Sequence, residues 1–196
     1  MHNLNVIGKS VPRKESLDKV TGAARYTDDY DIPGLLHARM VTSPYAHAKI
    51  KSIEYTNALK ASGVRAVLTG QYFPQLIGST IVDRPPIAID KVRYNGEPVA
   101  VVVADSEAEA EKAAQLIKVE YEALPVVNSP REAIKKDAPL VHEKLGEYKI
   151  IDEAFPEANT NIANRTKIRK GDIKKGWSKS EVTVEASFSF PPSDHA

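Results

Sequence analysis

The side chains in this 196-residue sequence that could carry chemistry are few and scattered. Histidines stand at His2, His37, His47, His142 and His195. No two share the i, i+4 spacing that sets a pair of imidazoles on one helix face, and none falls in a metal-ligand spacing. His37 and His47 lie in or beside predicted strands, where a hydrogen-bonded structural role is favoured. Asp28, Asp29 and Asp31 cluster in YTDDYDIPG. Clustered carboxylates suit calcium or magnesium, but EF-hand spacing is absent and aspartate also favours turns and caps, so a turn-rich surface loop is favoured. Arg84 precedes two prolines in the long connection 70–90 and could meet an anion; a surface or interface loop is the favoured reading there. Glu109 and Glu111 fall on an exposed helix face with nothing to shift their acidity. There is no GxSxG nucleophile turn, no GxGxxG fingerprint and no GxxxxGK[ST] phosphate loop. The sequence has no cysteine, which excludes disulfides, a thiol nucleophile, iron–sulfur ligands and a cysteine zinc site within it. No catalytic, cofactor-binding or metal residue is assigned.

The elements are clearer than the chemistry. Stretch 94–121 reads as a turn, a strand, a capped helix and a second strand. Asn95-Gly96 makes the turn, because glycine tolerates positive φ. Residues 99–104 are an unbroken apolar run, as expected of a strand covered on both faces. Ser106 with Glu109 three residues on forms a capping box. Ala110, Ala113, Ala114 and Ile117 follow at helical spacing and let the helix sit close to a sheet. Residues 118–121 alternate, as a half-exposed strand does. With a further strand predicted at 91–94 the order is strand, strand, helix, strand, and upstream the same order is predicted: strands 35–41 and 48–55, a short helix capped by Thr56 and stopped at Gly63, and a strand 64–68. The two units share little identity and form an architectural echo rather than a sequence repeat.

Residues 1–34 are polar and irregular. Downstream, Ser129-Pro130 opens a short helix to about residue 136. Residues 137–160 are loop-like and suit a linker or an arm lying on a partner, with the first compact domain ending near 125–145. Residues 161–179 are basic, but nucleic-acid binding also needs stacking aromatics. Only Trp177 is near, and Asp172 and Glu181 interrupt, so a solvated edge is favoured, with a helix 172–178 capped by Asp172. Residues 181–190 alternate strictly, with Val182, Val184, Ala186, Phe188 and Phe190 on one face, and read as a strand whose apolar side needs cover. The sequence is therefore expected to be a piece of a larger assembly.

Composition bounds the rest. Hydrophobic residues are 42%, charged residues 27%, and the net charge is +1, which describes a soluble globular chain with a core and no drive toward nucleic acid or an anionic membrane. No apolar run approaches the roughly 18 residues of a membrane span. The start lacks the apolar segment of a signal peptide, so the expected compartment is the cytoplasm.

Several segments together resemble a known family. The carrying residues are Arg13, Asp18 to Gly22, Ala24, Tyr26, Asp29, Pro33-Gly34, Ser43-Pro44 and Ala46-His47-Ala48-Lys49-Ile50. Further on they are Lys91-Val92, Tyr94, Gly96, Pro98-Val99, residues 101–105, the alanine-rich helix, Val119, Tyr121 and Leu124-Pro125. This pattern resembles the N-terminus of the molybdenum-binding subunit of xanthine dehydrogenase, aldehyde oxidase and related molybdenum hydroxylases, closely over 5–145 and loosely beyond. The resemblance implies an α+β fold, the α/β-hammerhead, with a mixed sheet of strand-strand-helix-strand units and short helices. It implies a hammerhead domain with an irregular N-terminal arm over 1–145. Residues 146–196 would be a linker and first strands leading into a molybdopterin-binding domain not included here, the chain being either an engineered fragment or a naturally split small subunit. The whole enzyme would hydroxylate a purine, aldehyde or other substrate with water as the oxygen source, purines being favoured. It would use molybdopterin-bound molybdenum, iron–sulfur clusters and FAD, held by the remaining domains and partner subunits. The family's cofactor loops and catalytic glutamate lie in those later domains, so this chain alone is expected to be inactive. The alternative is a self-sufficient scaffold or interaction module.

Overall fold

The computed structural model describes residues 7–30 and 32–191. His2, Asp31 and His195 lie outside the described residues.

Two units of the same order build the domain. The first is β1 (His37–Thr42), β2 (Ala48–Glu54), helix α2 (Thr56–Leu59) and β3 (Val64–Thr69). The second is β5 (Lys91–Val92), β6 (Pro98–Ala104), helix α3 (Glu107–Ala114) and β7 (Lys118–Ala123). The units interlock. One sheet has the order β1-β6-β3 and the other β5-β2-β7, so each unit's middle strand lies between the outer strands of the other. Every ladder among the described residues is antiparallel, where a mixed sheet was expected. The reason is topological: strands adjacent in sequence go to different sheets, and the neighbours they find there run the opposite way. The two inter-strand connections also hold each other, since Ser43 N donates to Glu97 O at 2.9 Å and Gly96 N to Ser43 O at 2.8 Å. Gly96 sits at φ 89, as the Asn95-Gly96 turn demands.

Small residues let the layers close. Ala100 and Val102 of β6 pack with Ala58, Val67, Ala113 and Ile117, while Val99 packs with Ala48, Ala88 and Val92 on the other side. Val99, Ala100, Val102 and Ala104 have no exposed surface, but Val101 and Val103, on the Val99 face, are half-buried, so the strand is fully covered on one face and only in part on the other, where cover on both was expected. Helix α3 is capped as expected by Ser106 Oγ, which accepts from Glu109 N at 3.3 Å. The Glu109 carboxylate takes the Ser106 hydroxyl at 2.7 Å instead of the backbone N–H of a full capping box. Gly63 sits at φ 75, in the left-handed region that favours glycine.

Other expectations change locally. Thr56 is the first helical residue rather than the cap, and its N–H is satisfied by Glu54 Oε1 at 2.8 Å. The N-terminal stretch contains a short helix α1 (Ser16–Thr21), ended by Gly22 at φ 74 and supported by a Glu15–Lys19 ion pair one turn apart. Helix α4 (Pro130–Ala133) starts with Pro130 behind the Ser129 cap, and helix α5 (Ile173–Lys179) behind Asp172. In the 70–90 connection, β4 (Ile81–Val82) pairs with β8 (Lys149–Ile150), so the later loop lies on the earlier one. Leu145 and Ala154 are buried. The expected strand at 181–190 does not form a ladder. Val182, Val184, Phe188 and Phe190 are each at least 79% exposed, because period-two alternation supplies a face but not the backbone partner a strand requires.

Val102→Ala should lower unfolding free energy by about 2 kcal/mol, because Val102 is fully buried in the cluster with Val67, Ala113 and Ile117 and its removal leaves a void there. Met40→Ala on exposed β1 should stay within about 0.5 kcal/mol. Urea unfolding measures both; equal costs would contradict the assigned centre of the core.

Candidate functional site: a buried lysine and a histidine cluster beside an open cleft

β5 places the Lys91 side chain against the 140–164 segment. The Lys91 side chain is only 6% exposed. Its Nζ donates to Glu143 Oε1 at 2.6 Å and Val141 O at 2.9 Å. Burial pushes the Glu143 carboxyl up, but the hydrogen bond from Lys91 and the charges of Lys91 and Arg93 outweigh it and hold the group below the usual carboxylate range. Next to it, His142 Nδ1 lies 3.3 Å from Tyr148 Oη, with the two rings edge to face at 5.7 Å. His142 Nε2 is 3.9 Å from Asp83 Oδ2, beyond hydrogen-bond reach. Burial is the main cause holding the His142 pKa down; the Arg93 cation adds to it and Asp83 opposes it.

Beside this cluster opens a cleft of about 660 Å³ between α4 and the 141–164 segment. Asn161 fixes its walls. Its Oδ1 accepts from Val141 N at 2.9 Å, and its Nδ2 donates to Pro139 O at 2.9 Å and Ala133 O at 3.3 Å. The volume suits a small ligand, but the reactive groups do not converge. The nearest hydroxyl on the α4 side, Ser129, is committed to capping Glu132 N. His142 has no nucleophile to activate. The cluster therefore works as a fastener for the 140–164 segment.

The candidates from sequence separate in the fold. Asp29 Oδ2 accepts from Tyr26 N at 2.8 Å and so closes a turn. Arg84 sits in a backbone bridge with Ile77. His37 opens β1. His47 is buried with Nδ1 2.6 Å from Pro125 O. Arg165 pairs with Glu157, and Trp177 is 60% exposed on α5. Asp83, Glu143 and Tyr148 were not singled out in sequence, and Lys91 was named only among the residues that carry the family resemblance, not as a site residue. Lys91 and Glu143 stand 52 positions apart, and neither shows a local signal beyond a lysine beside the buried Val92.

The interlocked antiparallel sheets and short helices define an α/β-hammerhead domain. Residues 21–125 match the family described as "Aldehyde oxidase and xanthine dehydrogenase, a/b hammerhead domain". The chain belongs to this molybdenum hydroxylase family. It is 35% identical over 185 residues to a probable xanthine dehydrogenase subunit of Bacillus subtilis, covering 93% of this chain and 23% of that protein. The crystal structure of quinoline 2-oxidoreductase from Pseudomonas putida 86 superposes with a TM-score of 0.60 at 41% identity, over 65% of this chain and 18% of that one. A Cu,Mo-CO dehydrogenase superposes with a TM-score of 0.66 at 31% identity, over 89% and 23%. The chain thus spans about a quarter of the length of such relatives.

Among the described residues no three His, Asp or Glu side chains converge as metal ligands, and the Asn161 amide in the cleft is already engaged.

Two outcomes follow. Glu143→Ala leaves the buried Lys91 ammonium with Val141 O and, because the Glu143 side chain is itself 59% exposed, should cost about 1–2 kcal/mol, whereas Lys91→Met removes the charge with the pair and should cost less than about 1 kcal/mol. Chemical unfolding tests the order, and a reversed order would show that Lys91 is not desolvated. The second concerns pH. A histidine whose folded pKa is depressed binds its proton more readily when unfolded. Its contribution is complete above its unfolded pKa of about 6.5 and is lost as pH falls from there through the folded value. Burial raises the Glu97 pKa, so that group acts in the opposite sense, losing stability as pH rises through its folded value. The fall in melting temperature from pH 7 to pH 5 should therefore be shallower in His142→Gln than in the parent; identical slopes would remove His142 as a source of the pH dependence.

Proposed function

We propose that this chain is the non-catalytic N-terminal part of a molybdenum-dependent hydroxylase. The hammerhead is a platform in this reading, and no residue of the chain is catalytic, cofactor-binding or metal-ligating. The remaining molybdopterin-binding domains would hold the metal, and electrons would leave through iron–sulfur and flavin subunits or domains. The whole enzyme would act in the cytoplasm on a purine or related heterocycle, xanthine first, with water supplying the oxygen.

The observation carrying the reading is a hammerhead matched over 21–125 in a chain that spans about a quarter of its relatives. Xanthine and quinoline in the names of similar proteins favour a heterocycle. No helix among the described residues is long and apolar enough to cross a membrane. An aldehyde substrate is the second reading, favoured by the family's own description.

The test is purification of the chain with the products of its neighbouring genes, followed by metal and flavin analysis and turnover in ¹⁸O-labelled water. Stoichiometric molybdenum and label entering oxidised xanthine are expected, with neither from the chain alone. An assembly without molybdenum would overturn the enzyme reading, and turnover of benzaldehyde but not xanthine would move the assignment to aldehydes.

A further inference from the structure

The sheet β1-β6-β3 carries apolar residues on both faces, and only one face is fully covered. On that face Val67, Ala100 and Val102 pack with Ala58 of α2 and Ala113 of α3. The register sets a second group on the other. Met40 and Leu68 both pair with Val101, and Ala38 and Ala66 both pair with Val103. Paired residues share a face, so Met40-Val101-Leu68 and Ala38-Val103-Ala66 run as two rows across the sheet, with no polar or charged side chain in either. Cover on this side reaches Val99, which packs with Ala48, Ala88 and Val92. Beyond it Val101, Val103, Ala66 and Leu68 are half-buried, Ala38 is exposed and Met40 is 61% exposed.

Where an antiparallel sheet meets water, polar residues alternate onto the wet face. β7 does this, with Lys118, Glu120 and Glu122 exposed between half-buried Val119 and Tyr121. β6 does not, and a strand apolar on both faces belongs inside a layered structure. The size of the face limits what can complete it. Strands about 4.8 Å apart and rows about 6.8 Å apart give roughly 200 Å². A stable dimer needs about 800 Å² from each partner, so a second copy seated on these two rows alone does not hold. A body already joined to the domain elsewhere needs only a matching surface, because the further contact forms within one assembly. The chain spans 23% of a probable xanthine dehydrogenase subunit, and the rest of such a protein is a body of that kind.

Resting on the hydroxylase reading above, we propose that the face made by Met40, Val101, Leu68, Ala38, Val103 and Ala66 is where the molybdopterin-binding portion of the enzyme docks on the hammerhead. The two rows offer no hydrogen bond and no charge, so the matching surface is aliphatic and uncharged. A charged group brought against them would lose its water and gain no partner.

The experiment is a cryo-electron microscopy structure of the chain in the assembly it purifies with, together with metal analysis of that assembly. Aliphatic side chains of the molybdopterin-binding portion within about 4.5 Å of Met40, Val101 and Leu68 are expected. Met40→Asp, which puts a charge into the face, should lower the molybdenum recovered with the chain at least tenfold, whereas Met40→Leu should leave it unchanged. Urea unfolding shows whether Met40→Asp is folded, and if it is not, the structure of the parent assembly decides. An assembly that holds molybdenum while the face meets solvent, a second copy, or an iron–sulfur or flavin subunit overturns the docking surface and leaves the hydroxylase reading standing. Folded Met40→Asp that keeps its molybdenum does the same. An assembly without molybdenum overturns both.

Discussion

Everything in this domain depends on one constraint: the backbone of each unit's middle strand can be satisfied only by the other unit. β2 has β5 and β7 as neighbours, and β6 has β1 and β3. A buried strand with open N–H and C=O groups is intolerable, so neither unit has a stable sheet of its own. The core follows the same logic, since β6 carries Ala100 and Val102 into one cluster and Val99 into the other. Helix α3 can approach because its contact face is Ala110 and Ala113.

What the sequence shows well is local. In 94–121 the apolar run, the Ser106 cap and the alanine spacing each follow from neighbouring residues, and each appears in the structure. The repetition of strand, strand, helix and strand is also legible, but its meaning is not. The pattern says that two similar units exist and cannot say that they exchange middle strands, which is why the strand directions came out differently. The polar cluster is hidden for a related reason. Asp83, Lys91, His142, Glu143 and Tyr148 come together only because β4 pairs with β8. The alternation at 181–190 misleads in the opposite way, because it specifies a face without a ladder.

The polar groups near the cleft show how a site-like arrangement can be structural. A histidine beside an aspartate and a tyrosine, next to a concave surface, has the composition of an active site. Its geometry has no aligned nucleophile and no short acid–base contact. Lys91, Glu143 and Asn161 instead tie the 140–164 segment to β5 and α4. Function in such a domain is read from individual sites, since the fold alone does not specify one.

The interlock also sets a clock for synthesis. Ser52 in β2 and its partner Glu120 in β7 are 68 residues apart. At about 5–20 residues per second, roughly 3 to 14 s pass between their translation. During that interval the ribosome holds a chain whose first unit has been made but cannot close. Ala48, Ile50 and Ile53 are then uncovered, and the strand is open to any other edge nearby. That delay lies in the order of the strands rather than in the stability of the finished domain.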